Sequence, residues 1–133
     1  MKIDGGSSAL AEDAKFIKTL YHGTTENRVK SIMKHGIRPQ KQNEEKEIKG
    51  HHVHISTDPG FASMMANSRS ELSEKPTKPV LLHIDRNHPS VRNFKRDPDA
   101  FGEKRHNSSF ITKNTIHSSA IKKIENVPYE EWR

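Results

Sequence analysis

Pro79-Val80-Leu81-Leu82-His83-Ile84-Asp85 contains the longest aliphatic run of this 133-residue chain and limits the fold more than any other stretch. Near-continuous apolarity over so short a segment suits a strand buried on both faces, so it predicts a central strand of a sheet. The run is far too short to span a bilayer as a helix. Around it apolar residues are scarce. Only 30% of the chain is hydrophobic and 30% is charged, so much of the remainder is expected to be solvated loop. The expectation is one domain with one core over 16–126. A mobile or short-helical segment, 1–15, precedes it, and a tail, 127–133, follows.

Two more stretches read as strands. Phe16-Ile17-Lys18-Thr19-Leu20-Tyr21 delivers His22 to a turn at Gly23, and His52-Val53-His54-Ile55-Ser56 alternates with period two. In the second, Val53 and Ile55 face the core while His52, His54 and Ser56 share the opposite face. A helix is expected after each. Val29, Ile32 and Met33 fall at helical spacing from Thr25 to His35, with Thr24 or Thr25 as N-cap and Gly36 as the stop. Asp58-Pro59 reads as an N-cap followed by proline, and Phe61, Met64 and Met65 supply that helix's buried stripe. Loops are expected at Asn67 to Lys78, in the Lys/Glu run 41–49, and across the basic stretch from Arg86 to Ser109. Phe110-Ile111-Thr112 and Ile116 to Ile124 read as the last strands, the latter anchored by Ile121 and Ile124. This order describes an α+β domain with a strand-rich second half.

Lys+Arg 23 against Asp+Glu 17 gives a net charge of +6, which favours an acidic partner such as nucleic acid or phosphate. The absence of cysteine excludes disulfides, thiolate catalysis and Cys-based zinc sites. Met1 to Ser8 lacks the apolar core of a secretory signal, so a cytoplasmic protein, or an effector exported by another route, is expected, with no membrane partner.

The candidate chemistry lies at His22 and His54. Each is on a strand that leads at once into a helix N-terminus, where free N–H donors and the helix dipole attract anions. Two such corners bordering one cleft would suit a diphosphate-containing ligand, and Gly23 would let it approach the main chain. His51, His52 and His54 also raise a metal reading, because His-x-His places two imidazoles on one strand face. Neither a third ligand nor an adjacent carboxylate accompanies them, so no metal is assigned.

Leu20-Tyr21-His22-Gly23-Thr24, then Ser31-Ile32-Met33-Lys34-His35-Gly36-Ile37-Arg38-Pro39, then His52-Val53-His54-Ile55-Ser56, resemble ADP-ribosyltransferases. Among these the chain is similar to the tRNA 2′-phosphotransferase family. The later stretches, 79–85 and Phe110-Ile111-Thr112 with Ile116 and Ile121, resemble that family's last strands, so the likeness runs in order from Leu20 to Ile124. It implies a split, strongly bent antiparallel sheet with short helices, and NAD⁺ as the bound co-substrate. By the resemblance, His22 and His54 are the catalytic pair. His22 would hydrogen-bond the nicotinamide-side ribose, the Gly23 backbone would hold the carboxamide, and Thr24 would orient the loop. His54 would lie against the nicotinamide ring, with Ser56 beside it.

Protein-modifying members of this fold carry a catalytic Glu at the start of the strand that begins here near Phe110. The matching position holds Ser109, or Ser108 if the alignment slips by one, and Ser109 is assigned to the NAD⁺ site. The 2′-phosphotransferases lack this Glu too. A phosphate monoester, with a second pKa of about 6, is already anionic at neutral pH and needs no general base to attack. The acceptor implied is therefore a phosphate of RNA or other nucleic acid. A protein side chain, as for a toxin or effector, and a non-catalytic NAD-binding module are the alternatives. About twenty residues precede His22, too few for the family's N-terminal RNA-gripping lobe, so the acceptor grip is expected from Arg92, Arg96 and Arg105.

Overall fold

A computed structural model describes residues 17–41, 50–99 and 108–128. The expected helix from Ala9 to Lys15, the charged run over 42–49, Glu103, Arg105 and the tail beyond 128 lie outside the described residues. The fold is α+β, an antiparallel sheet with two helices. In chain order the elements are β1 (Thr19–Thr25), α1 (Glu26–His35), β2 (Gln40–Lys41), β3 (His51–Ser56) and α2 (Pro59–Leu72). Then follow β4 (Pro79–Asp85), β5 (Lys95–Arg96), β6 (Ser109–Thr112) and β7 (Ile121–Asn126). The strands lie in the order β5-β6-β3-β1-β4-β7, with β2 paired to β3. The apolar run is β4, and it is flanked on both sides, by β1 and β7. No described helix is long and apolar enough to cross a membrane.

β1 differs from the expected strand. It continues through His22, Gly23 and Thr24 because every residue from Thr19 to Thr25 pairs with β4, ending at Thr25↔Pro79. Gly23 is therefore not a turn. It marks the point where α2 rests on the sheet. A Cβ at Gly23 would stand 2.1 Å from the Ala62 carbonyl oxygen and 2.8 Å from the Ala66 nitrogen.

That close approach accounts for a second difference. α2 runs on to Leu72 across residues expected as loop, and its buried residues are Ala62, Ala66, Asn67 and Ser70. Small side chains one helical turn apart let the two backbones meet. Phe61 and Met64 are left half-buried and Met65 is exposed, so the expected stripe is not the packed face. The Ser70 hydroxyl then donates to the Thr77 carbonyl at 2.6 Å, tying the end of α2 to the segment entering β4.

The start of α2 follows the expectation. Asp58 Oδ1 accepts a hydrogen bond from the Gly60 N–H at 2.9 Å, with Pro59 in the first turn. Asp58→Ala is expected to cost about 1 kcal/mol, read as a lower urea midpoint at unchanged slope.

α1 stops at Gly36, whose φ of 81° favours glycine and whose N–H bonds the Ile32 carbonyl. Ile37 then enters the core and bridges Ile116. Ile116 is fully buried but precedes β7, which starts only at Ile121. Ile124 is 44% exposed and anchors nothing, because β7 is an edge strand paired on one side alone.

Leu20, Leu82 and Ile84 of β1 and β4 join Val53, Ile55 and Phe110 of β3 and β6 in one core. Yet β1 and β3 pair only at Tyr21↔Ser56. From His22 onward the two strands share no ladder, and the site forms there.

Candidate functional site

His22 spans the gap between β1 and β3. Its Nδ1 lies 2.6 Å from the His54 carbonyl oxygen. A carbonyl only accepts, so Nδ1 carries the proton and Nε2 keeps a free lone pair. His22 is 6% exposed. Burial first, and the Arg69 charge second, push its pKa down to about 3, so the ring is neutral at neutral pH.

This depression has a consequence for acid stability. The unfolded chain takes up a proton at His22 near pH 6.5 and the folded chain does not until about 3, so stability is lost as the pH drops through that window. Between pH 7 and 5 the loss from this one group is expected to be about 2 kcal/mol. Urea titrations of the wild type and His22→Asn at both pH values should show that the variant loses less by this amount.

The gap opens into a cleft of about 400 Å³, walled in part by His22, Thr24, His52 and three arginines, Arg28, Arg38 and Arg69. Arg28 comes from the first turn of α1 and Arg38 from the chain beyond it, while Arg69 is supplied by the last turns of α2. None of the three arginines is in an ion pair among the described residues. Burial, and then the Arg28 charge, pull Arg69 below the usual guanidinium range. Thr24 is 1% exposed, and its hydroxyl has no hydrogen-bond partner among the described residues. Uncompensated cations beside an orphaned hydroxyl form a donor set that an anion would complete.

His54 also lines the cleft. Its ring is partly exposed, with Nε2 3.6 Å from Asp97 Oδ2. The structure thus brings His22, Thr24 and His54 together. Gly23 lies in β1 between the first two and serves the α2 contact. Ser56 and Ser109 are not in the wall: they face each other in the β3–β6 ladder, both buried, and the Ser56 hydroxyl accepts from the Asp58 N–H at 2.9 Å. Arg92 and Arg96 also lie outside it. The Arg92 carbonyl accepts from Thr112 and Asn114, and the Arg96 guanidinium sits 5.5 Å from the Phe110 ring centroid.

Nor does the N-terminus of α2 border the cleft, as the paired-corner expectation required. There the Asp58 carboxylate takes the Gly60 N–H. Positive charge in the cleft comes from arginine side chains instead. Arg28 and Arg69 carry no local sequence signal, and only the extension of α2 past Asn67 brings Arg69 to the site. Among the described residues no group of three His, Asp or Glu side chains is placed to hold a metal ion. Comparison with protein-family models and with curated proteins finds no match for this chain.

Proposed function

We propose that this chain is an NAD⁺-dependent transferase of the ADP-ribosyltransferase fold, resembling the RNA 2′-phosphotransferases, with a phosphate of RNA or other nucleic acid as acceptor. The observation that carries the reading is the cleft between β1 and β3, where a neutral His22 stands among three arginines that have no ion-pair partner among the described residues. The interrupted pairing at Tyr21↔Ser56 suits the split sheet of that fold.

These residues fit the dinucleotide. Its diphosphate would neutralise guanidiniums that the described fold leaves uncompensated, and it would offer the Thr24 hydroxyl an acceptor. His22 Nε2, held unprotonated by burial, would accept a hydrogen bond from a ribose hydroxyl. The same imidazole as a cation could not. His54 would flank the nicotinamide side. NAD⁺, when bound, supplies the ribosyl electrophile, and the chain contributes positioning and electrostatic complementarity. β6 opens with Ser109 and not a carboxylate, which favours an acceptor that is already an anion.

The test is calorimetric titration of NAD⁺ into the wild type and into the His22→Ala/His54→Ala double variant, followed by a nicotinamide-release assay. Saturable binding lost in the double variant is the expected result. Absence of binding to the wild type would return the chain to an unassigned basic domain. Glu103 is the acidic residue that precedes Ser108 and Ser109 most closely in the sequence; Glu103→Ala is expected to leave nicotinamide release unchanged, whereas abolition of release would shift the acceptor to a protein side chain.

A further inference from the structure

Apart from the cleft, a second hollow of about 310 Å³ is walled by His52, Asn93, Lys95, Lys113 and Asn114. His54, Ile111 and Lys95 stand in register across β3, β6 and β5. Side chains two positions along a strand share a face, so His52 belongs to the same face as that row, and Lys113, just past the end of β6, lines the same hollow. Two cations and a buried imidazole are thus gathered at one end of the sheet.

His52 is the unexplained member. It is 2% exposed, and neither ring nitrogen has a hydrogen-bond partner among the described residues. Leaving a buried polar group unmet costs about 1–3 kcal/mol, so a polar partner from outside the described fold would be stabilising. Lys95 and Lys113 are exposed and in no ion pair among the described residues. Asn93 adopts φ 60°, a left-handed conformation that asparagine tolerates, and Asn114 is held with its Nδ2 donating to the Arg92 carbonyl at 3.2 Å. Ile111 and the aliphatic parts of the other side chains make up much of the lining, and the polar atoms come from His52, the two lysines, Thr112 and the two asparagines.

We propose that this hollow is an oxyanion site for a phosphate group, with Lys95 and Lys113 supplying the charge and His52 a hydrogen bond from the floor. His52 lines both this hollow and the cleft, so a phosphate bound here lies next to whatever occupies the space between His22 and Arg69. The site does not depend on NAD⁺ being the ligand of the cleft. A strand phosphate and free inorganic phosphate share the chemistry.

Electrostatics give the site a reporter. Burial first, then the Lys113 and Lys95 charges, hold His52 below the usual imidazole range. Asp97 opposes this, as does the Gly50 backbone, which lies near without reaching hydrogen-bond geometry. A phosphate dianion between the lysines reverses the sign of the local field, so its binding raises the imidazole pKa.

Inorganic phosphate titrated into the full chain, followed through the histidine ring ¹H–¹³C signals, tests this. The expected result is a saturable movement of the His52 Cε1–H signal with an upward shift of its titration midpoint. Lys95→Gln with Lys113→Gln should weaken the apparent affinity about tenfold or more, while Lys75→Gln, an exposed lysine that lines neither the hollow nor the cleft, leaves it unchanged. Competition by a short single-stranded RNA would identify a nucleic-acid strand as the source of the phosphate, and its failure to compete would identify free phosphate. A His52 signal that does not move, or that moves equally in the lysine double variant, overturns the proposal. Calorimetry with NAD⁺ reads the cleft separately, so the two readings fail independently.

Discussion

Gly23→Ala is expected to be the most damaging single substitution in the described fold, lowering stability by about 3 kcal/mol or more. The added methyl would stand 2.1 Å from a backbone oxygen and 2.8 Å from a backbone nitrogen of α2. Backbone atoms in the middle of a helix cannot rotate aside as a flexible side chain would. Either α2 lifts off β1 or β1 shifts against β4, with which it pairs over its whole length. Both movements disturb Leu20 and Leu82, which are fully buried. Gly60→Ala is the control. Its Cβ meets only the Asp58 side-chain oxygen, at 3.2 Å, and an alanine in the first turn of a helix regains backbone entropy. Circular dichroism during thermal and urea unfolding should show the first variant collapsed or strongly destabilised and the second close to wild type. Equal stability of the two would mean that α2 does not rest on Gly23.

Arg69→Met should separate stability from binding. Arg69 is largely buried beside Arg28, with no carboxylate partner among the described residues, so the folded state carries an uncompensated charge. Methionine fills much of the same space without that charge, and the variant should gain about 1 kcal/mol of stability. On the proposed reading of the cleft as an NAD⁺ site, the variant's affinity for NAD⁺ should drop by about a hundredfold, as expected when one partner of a buried charge contact is lost. His22 provides a second readout. The Arg69 charge helps hold its pKa near 3, so removing it should raise that pKa and narrow the window of acid destabilisation. A variant that loses both stability and binding would show that Arg69 supports the fold and does not merely wait for a ligand.

Much of the fold was legible before any coordinates. The run 79–85 is apolar on both faces because successive residues, Val80, Leu81 and Leu82, are buried on alternate sides of the sheet, and Asp58-Pro59 starts a helix because its carboxylate caps that helix directly. Gly36 and Ile37 mark a stop and a return to the core, for the same local reasons. His22 and His54 stood out in the sequence by residue type and position, and both line the same cleft. These are the features that chain neighbours determine: hydrophobic periodicity, caps and positive-φ glycines.

The remainder belongs to contacts between distant segments. Gly23 read as a turn because glycine usually signals one, yet here its missing side chain admits α2. The packed face of α2 is Ala62 and Ala66 rather than Phe61 and Met64, since the larger residues cannot approach a strand that closely. Ile124 looks like a core residue by type but lies on an edge strand. The cleft is the extreme case. Its cations come from positions 28, 38 and 69, spread over two helices and a turn, and no periodicity links them. Sequence by itself determined where most strands and helices begin and singled out His22 and His54 as candidates, because those signals depend on neighbours within a few residues. Tertiary structure alone decided that β1 and β3 part after Tyr21, that the His54 carbonyl holds His22 by its Nδ1, and that three arginines face the opening, because those depend on how far apart two chain segments finally lie.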